Sequence, residues 1–209
     1  MKSKVLILTN PLNHEGGVVN YYNLFLETFR SDTFELKHQN IGSRDWVFYY
    51  SILKIILYPL FYFYDMSRLC FNLISDRKIK IVQLSPSMIP VSLIRDAIPV
   101  VIAKLFRKKV VIFYRGWRVE TFSHISNRKL MRFLFNKVYQ SSTHQIVLAT
   151  SFKESLLSLK KSQTNEIMVT TTSIRKNDIV FSDKKLDSIL NVLFLGRIEG
   201  LKGTKEIIE

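Results

Sequence analysis

At 209 residues the chain is long enough for one well-buried domain, with little left for a second. Apolar residues make up 47% and charged residues 23%, a balance that excludes a disordered chain. The net charge of +14, from 31 Lys and Arg against 17 Asp and Glu, favours anionic partners: nucleic acid, acidic lipid headgroups or phosphorylated small molecules.

In chain order, the apolar run Val5–Thr9 reads as a buried strand; it is too short for a signal-peptide core and is closed by Asn10 and Pro11. A loop then leads to Gly16 and Gly17, followed by an apolar helix with Val18, Tyr22, Phe25, Leu26 and Phe29. A strand, a glycine turn and a helix N-terminus make a recurrent anion site: free backbone N–H groups point outward, and glycine leaves room for close approach. The spacing is neither G-x-G-x-x-G nor G-x-x-x-x-G-K-[ST], so a dinucleotide fingerprint and an NTPase loop are both excluded, and a plain turn stands beside the anion-site reading.

From Trp46 to Tyr64, 16 of 19 residues are apolar, the exceptions being Ser51, Lys54 and Pro59. That length approaches the ~20 residues that span a bilayer. Lys54 would then lie near the membrane centre at roughly 2.5–3.5 kcal/mol, and Pro59 would break the helix. The tyrosines prefer the interface, and Arg44 and Arg68 flank the segment. A membrane-surface helix at 46–64 is therefore the leading expectation, ahead of a core helix or a true span. Cys70 is the only cysteine, which rules out an intramolecular disulfide and fits a reducing compartment; a cytoplasmic protein is expected.

Ile79–Ser85 and Val110–Tyr114 read as further buried strands. The second delivers Arg115, Gly116, Trp117, Arg118 and Glu120 to its carboxyl end, where open parallel sheets bind ligands. Two arginines around an indole suit a phosphate and a sugar face, and Glu120 is a candidate acceptor-binding carboxylate or a salt-bridge partner for either arginine; the alternative is a strand end with solvated arginines. The segment NRKLMRFLFNKVY predicts a helix with Leu130, Phe133, Leu134 and Val138 on its apolar stripe. Strand Gln145–Ala149 leads into SFKE, where Ser151 and Glu154 have capping-box spacing. Ile167–Thr171 is another strand, the polar stretch 182–188 a boundary, and Val192–Gly196 the opening of a new strand–loop–helix unit. In that last loop Arg197 and Lys202 flank Gly200, again an oxyanion arrangement.

Strands alternating with helices imply an α/β fold, a Rossmann-like parallel sheet with helices on both faces. The four histidines, His14, His38, His124 and His144, lack metal-ligand spacing, so no metal is expected. There is no hydrolase elbow and no nucleic-acid motif.

Taken together, NHEGGVVNYYNLF, KKVVIFYRGW, HQIVLATSFKESLL and VLFLGRIEGLKG resemble, in order, segments of bacterial family 4 glycosyltransferases of the GT-B fold. The resemblance implies a retaining transferase moving a sugar from a nucleotide-sugar donor to a lipid-linked or polysaccharide acceptor in cell-surface polysaccharide biosynthesis, with no cofactor and no nucleic acid. It implies an acceptor-binding Rossmann-like domain over 1–185 and the start of a nucleotide-sugar-binding domain over 186–209. Gly16, Gly17, Arg197 and Lys202 would meet donor phosphate; Arg115, Trp117, Arg118 and Glu120 would meet acceptor. Arg115 stands where that family usually has His, which puts the sugar contact of that His in question. The family's E-x7-E carboxylates would lie beyond residue 209, so this chain alone is expected to show little or no transfer. A peripheral place on the inner face of the cytoplasmic membrane follows from the same resemblance. A non-catalytic membrane-surface or interaction protein of the same ancestry is the alternative.

Overall fold

The computed structural model describes residues 2–14, 16–42, 51–117, 119–159 and 166–172. The chain divides between Ile174 and Arg175, and every described element lies in the first unit. Its strands are β1 (Ser3–Thr9), β2 (Phe34–Asn40), β3 (Ile79–Leu84), β4 (Lys109–Tyr114), β5 (His144–Val147) and β6 (Glu166–Val169). Its helices are α1 (Gly17–Thr28), α2 (Ser51–Ser75), α3 (Pro90–Leu105), α4 (Val119–Asn127), α5 (Lys129–Val138) and α6 (Thr150–Ser158). The strands form one all-parallel sheet in the order β2-β1-β3-β4-β5-β6, the α/β architecture that the alternating pattern implies.

Right-handed crossovers fix which helix covers which face. The chain leaves β1 in one direction to reach β2 and moves the opposite way at every later step, so α1 covers one face and the remaining helices the other. Side-chain contacts agree. Tyr21 of α1 packs edge-on against Phe113, and the Tyr22 hydroxyl meets Gln83 and Ser85. The alternate residues Leu6, Leu8, Val82, Leu84, Ile112 and Tyr114 belong to the main core with α2, α3, α5 and α6. Each large apolar side chain buried there contributes about 1.5–3 kcal/mol. Against that cluster, the α1 side buries Ile7, Val19, Tyr22 and Phe113, so the multi-helix side carries most of the stability.

Several sequence expectations need correction. Strand β2, FELKHQN, was not anticipated, because it is an edge strand whose side chains are mostly exposed or half-buried and carry no apolar run. Backbone pairing with β1, from Ser3 opposite Phe34 to Thr9 opposite Asn40, holds it in place. Pro59 does not end α2, which continues through it to Ser75. The helix loses one internal hydrogen bond there, a cost of about 3 kcal/mol. Beyond the proline, Met66, Leu69 and Leu73 are all buried, and at about 1.5–3 kcal/mol each they outweigh it.

The buried stripe of α5 is Met131, Phe135 and Val138, with Leu134 partly buried, while Leu130 is 78% and Phe133 62% exposed. Val18 of α1 is likewise exposed, its neighbour Val19 being the buried residue. Ser151 is not a cap: α6 starts at Thr150 after Ala149, so Ser151 lies inside the first turn and its carbonyl accepts from Ser155. Residues 46–50 and everything from 173 onward, including the expected boundary at 182–188 and the terminal strand, lie outside the described residues. Among the described residues, no helix is long and apolar enough to cross a membrane.

Candidate functional site

Because β1 has β2 on one side and β3 on the other, the connections leaving their carboxyl ends diverge and open a crevice, the place where doubly wound sheets take ligands. Asn10 and the following loop, the start of α1, Ser85 after β3 and Arg115 after β4 all meet at that edge. Two stretches 98 residues apart in sequence are thus brought together: Arg115 Nη2 donates to the Gly17 carbonyl at 3.4 Å.

Gly16 caps α1 with φ 136° and ψ 155°, a conformation only glycine adopts without strain. Its carbonyl accepts the first helical bond, from the Asn20 N–H at 2.9 Å, so the N–H groups of Gly17, Val18 and Val19 precede the helical ladder. Among the described residues, no carboxylate occupies that first turn, and apart from the chain neighbours and the helix's own backbone no atom lies within 4 Å of where a Cβ would stand on Gly16 or Gly17. The turn therefore aims backbone N–H groups that stand outside the helical ladder, and a positive dipole end, away from the helix.

Arg115 lies beneath this turn. Its guanidinium carbon is 3.8 Å from the centre of the Tyr21 ring, with Phe113 at 5.4 Å and Tyr22 at 5.9 Å. Its Nε and Nη1 are shielded from solvent and have no hydrogen-bond partner. Burial lowers the pKa of this guanidinium, opposed by the two tyrosines, and burial raises that of Tyr21. Such a group remains a cation and gains from any oxyanion that reaches it.

Tyr22 is fully buried, and its hydroxyl lies 2.6 Å from Ser85 Oγ and accepts from Gln83 Nε2 at 3.2 Å. It ties α1 to the end of β3. The loop after β3 is fixed from two more directions: the Ser87 N–H donates to Asp96 Oδ2 at 3.2 Å, and Thr121 Oγ1 donates to the Met88 carbonyl at 2.8 Å. Asp96 is buried and paired with Arg95 Nε at 2.7 Å. Next to this pair the Tyr62 hydroxyl donates to the Arg95 carbonyl at 2.6 Å, and burial, reinforced by Asp96, pushes its pKa up to about 12. Sequence reading missed Gln83, Ser85, Asp96 and Thr121. The motif LSPS at a strand end was the available signal, because a Ser-Pro-Ser turn at the carboxyl edge of a parallel sheet lies at ligand level.

The other expected residues are placed differently. Trp117 stacks on Phe152 with ring centres 4.9 Å apart and planes 9° apart, and it also packs against Phe122 and Tyr114. Its indole joins β4, α4 and α6, so one broad face is already occupied by protein. Glu120 is exposed in the first turn of α4, where the helix dipole favours it. Arg118, Arg197 and Lys202 lie outside the described residues. His144 Nδ1 lies 3.6 Å from Glu166, and among the described residues no group of three or more His, Cys, Asp or Glu is arranged to hold a metal.

Compared with known proteins, the chain matches no protein-family model and no curated protein.

Proposed function

We propose that the chain forms the acceptor-binding part of a retaining glycosyltransferase that moves a sugar from a nucleotide-sugar donor to a lipid-linked or polysaccharide acceptor. In the reaction the bond between the sugar anomeric carbon and the donor diphosphate breaks. An acceptor hydroxyl oxygen bonds to that carbon on the same face, and its proton passes to the departing diphosphate. The N–H groups of Gly17, Val18 and Val19 meet donor oxygens. Arg115 meets an acceptor phosphate.

One observation carries this reading: β4 delivers a half-buried arginine, whose shielded Nε and Nη1 have no hydrogen-bond partner, to the glycine turn of α1, next to the switch point of the sheet. A half-buried cation beside the N–H groups at a helix start is complementary to an oxyanion, and a diphosphate flanked by sugars fills such an edge. Cytoplasmic work on the inner membrane face fits a lipid-borne acceptor and the +14 charge.

Calorimetric titration of the chain with a short-prenyl diphosphate saccharide tests the reading. Binding is expected, with a loss of about tenfold or more in Arg115→Gln, since a charge-assisted bond is worth about 1.5–3 kcal/mol. Unchanged affinity in a folded Arg115→Gln protein would contradict it. Binding to vesicles with no saccharide diphosphate binding at all would favour the non-catalytic membrane-surface alternative.

A further inference from the structure

The outer side of α3 carries Val91, Ile94, Ile98, Val101 and Leu105, all exposed, at alternating steps of three and four residues. On a helix such steps make one continuous stripe. Its neighbour α2 exposes Phe63 (73%), Phe71 (68%) and Ile74, and α5, on the other flank of α3, exposes Leu130 and Phe133. The helices form one layer. Tyr62 of α2 donates to the Arg95 carbonyl of α3, and Lys104 of α3 donates to the Val138 carbonyl of α5. Each helix buries its other side in the core, so these stripes are additional to the fold's own requirement.

Charge identifies the occupant. The carboxylates of α2 and α3 are Asp65 and Asp96, and both are buried. Helix α5 has none. The exposed charged side chains described on this layer are Arg68, Arg95, Lys129, Arg132 and Lys137, every one a cation. A second copy of the chain would set cations against cations. A bilayer with acidic headgroups accepts apolar side chains at its acyl boundary and meets the cations at its surface. We infer that the α2–α3–α5 layer is a docking surface for an anionic lipid bilayer, with the helices lying in the membrane plane.

The stripe on α3 begins at Val91, immediately after the Ser85–Met88 loop that borders the crevice. Docking therefore brings the crevice to the membrane surface. The surface stands on exposure and charge alone, independent of the sugar-transfer reading: lipid binding and saccharide diphosphate binding are separate measurements, and one can fail while the other succeeds.

The test is flotation of the full chain with vesicles of phosphatidylcholine, alone or mixed with phosphatidylglycerol. Partitioning is expected to be at least about tenfold stronger on the mixed vesicles, and about tenfold weaker in the double variant Lys129→Glu with Arg132→Glu. Phe63→Ser with Phe71→Ser should weaken it as well; both side chains are exposed, and an unchanged thermal melt confirms folding. The matched reversal Lys2→Glu with Arg30→Glu, off this layer, should leave binding within about twofold. The inference is overturned if the wild type ignores anionic vesicles, if the Lys2/Arg30 reversal weakens binding as much as the α5 pair, or if the Phe variants dissolve a dimer and leave lipid binding unchanged.

Discussion

Arg115 is held mainly by aromatic faces. Cation–π contacts at partly desolvated sites contribute about 0.5–2 kcal/mol, whereas each buried donor without a partner costs about 1–3 kcal/mol. With Nε and Nη1 both lacking partners, the second effect wins, and the side chain is placed at a cost to stability. A residue so placed is explained by what binds to it. Tyr22 is the opposite case, a polar group fully used by the fold. Tyr22→Phe keeps the ring and removes the hydroxyl that joins Gln83 and Ser85. That change should lower stability by about 1–2 kcal/mol in urea unfolding, because it leaves a buried amide donor short of a partner; an unchanged midpoint would mean the hydroxyl braces nothing. At this scale Gly16 and Arg115 were legible from local pattern. Tyr22 was legible only as an apolar helix residue, since its partners lie 61 and 63 residues away.

Among the elements, the end of α3 shows a stop signal written with an unusual residue. Arg107 has φ 53°, its N–H donates to the Lys104 carbonyl, and the Lys108 N–H donates to the Ala103 carbonyl. This is the paired-bond helix terminus that ordinarily takes glycine at the left-handed position. A non-glycine residue there costs about 1–2 kcal/mol, of which glycine's larger unfolded-state entropy returns about half. Arg107→Gly should therefore stabilise the chain by roughly 0.5–1 kcal/mol, seen as a higher melting temperature. A lower one would show that the arginine side chain contributes more than its backbone strain costs. The strands β1, β3, β4 and β5 were legible because their apolar runs match a sheet covered on both faces, and β6, an edge strand mostly exposed, because it happens to carry the run Ile167, Met168, Val169. Strand β2 was not, since its FELKHQN side chains, half in water at the opposite edge, form no apolar run. The α5 stripe was misread because Leu130 and Phe133 satisfy helical spacing yet face outward, where only tertiary packing decides.

Across the molecule, the sheet order sets one crevice, and two of the motifs picked out along the sequence converge on it. Residue pattern indicated the glycine turn and the Arg-Gly-Trp strand end separately. Their juxtaposition required the β2-β1-β3-β4 order, which no local stretch encodes. The most direct test of the crevice as the ligand site is an amide NMR titration of the chain with a soluble prenyl diphosphate saccharide. Shifts are expected to cluster on Gly16 to Tyr22, Ser85 and Arg115 to Gly116. Shifts confined to the β6 edge or to the α5 surface, with those crevice amides unmoved, would contradict the account.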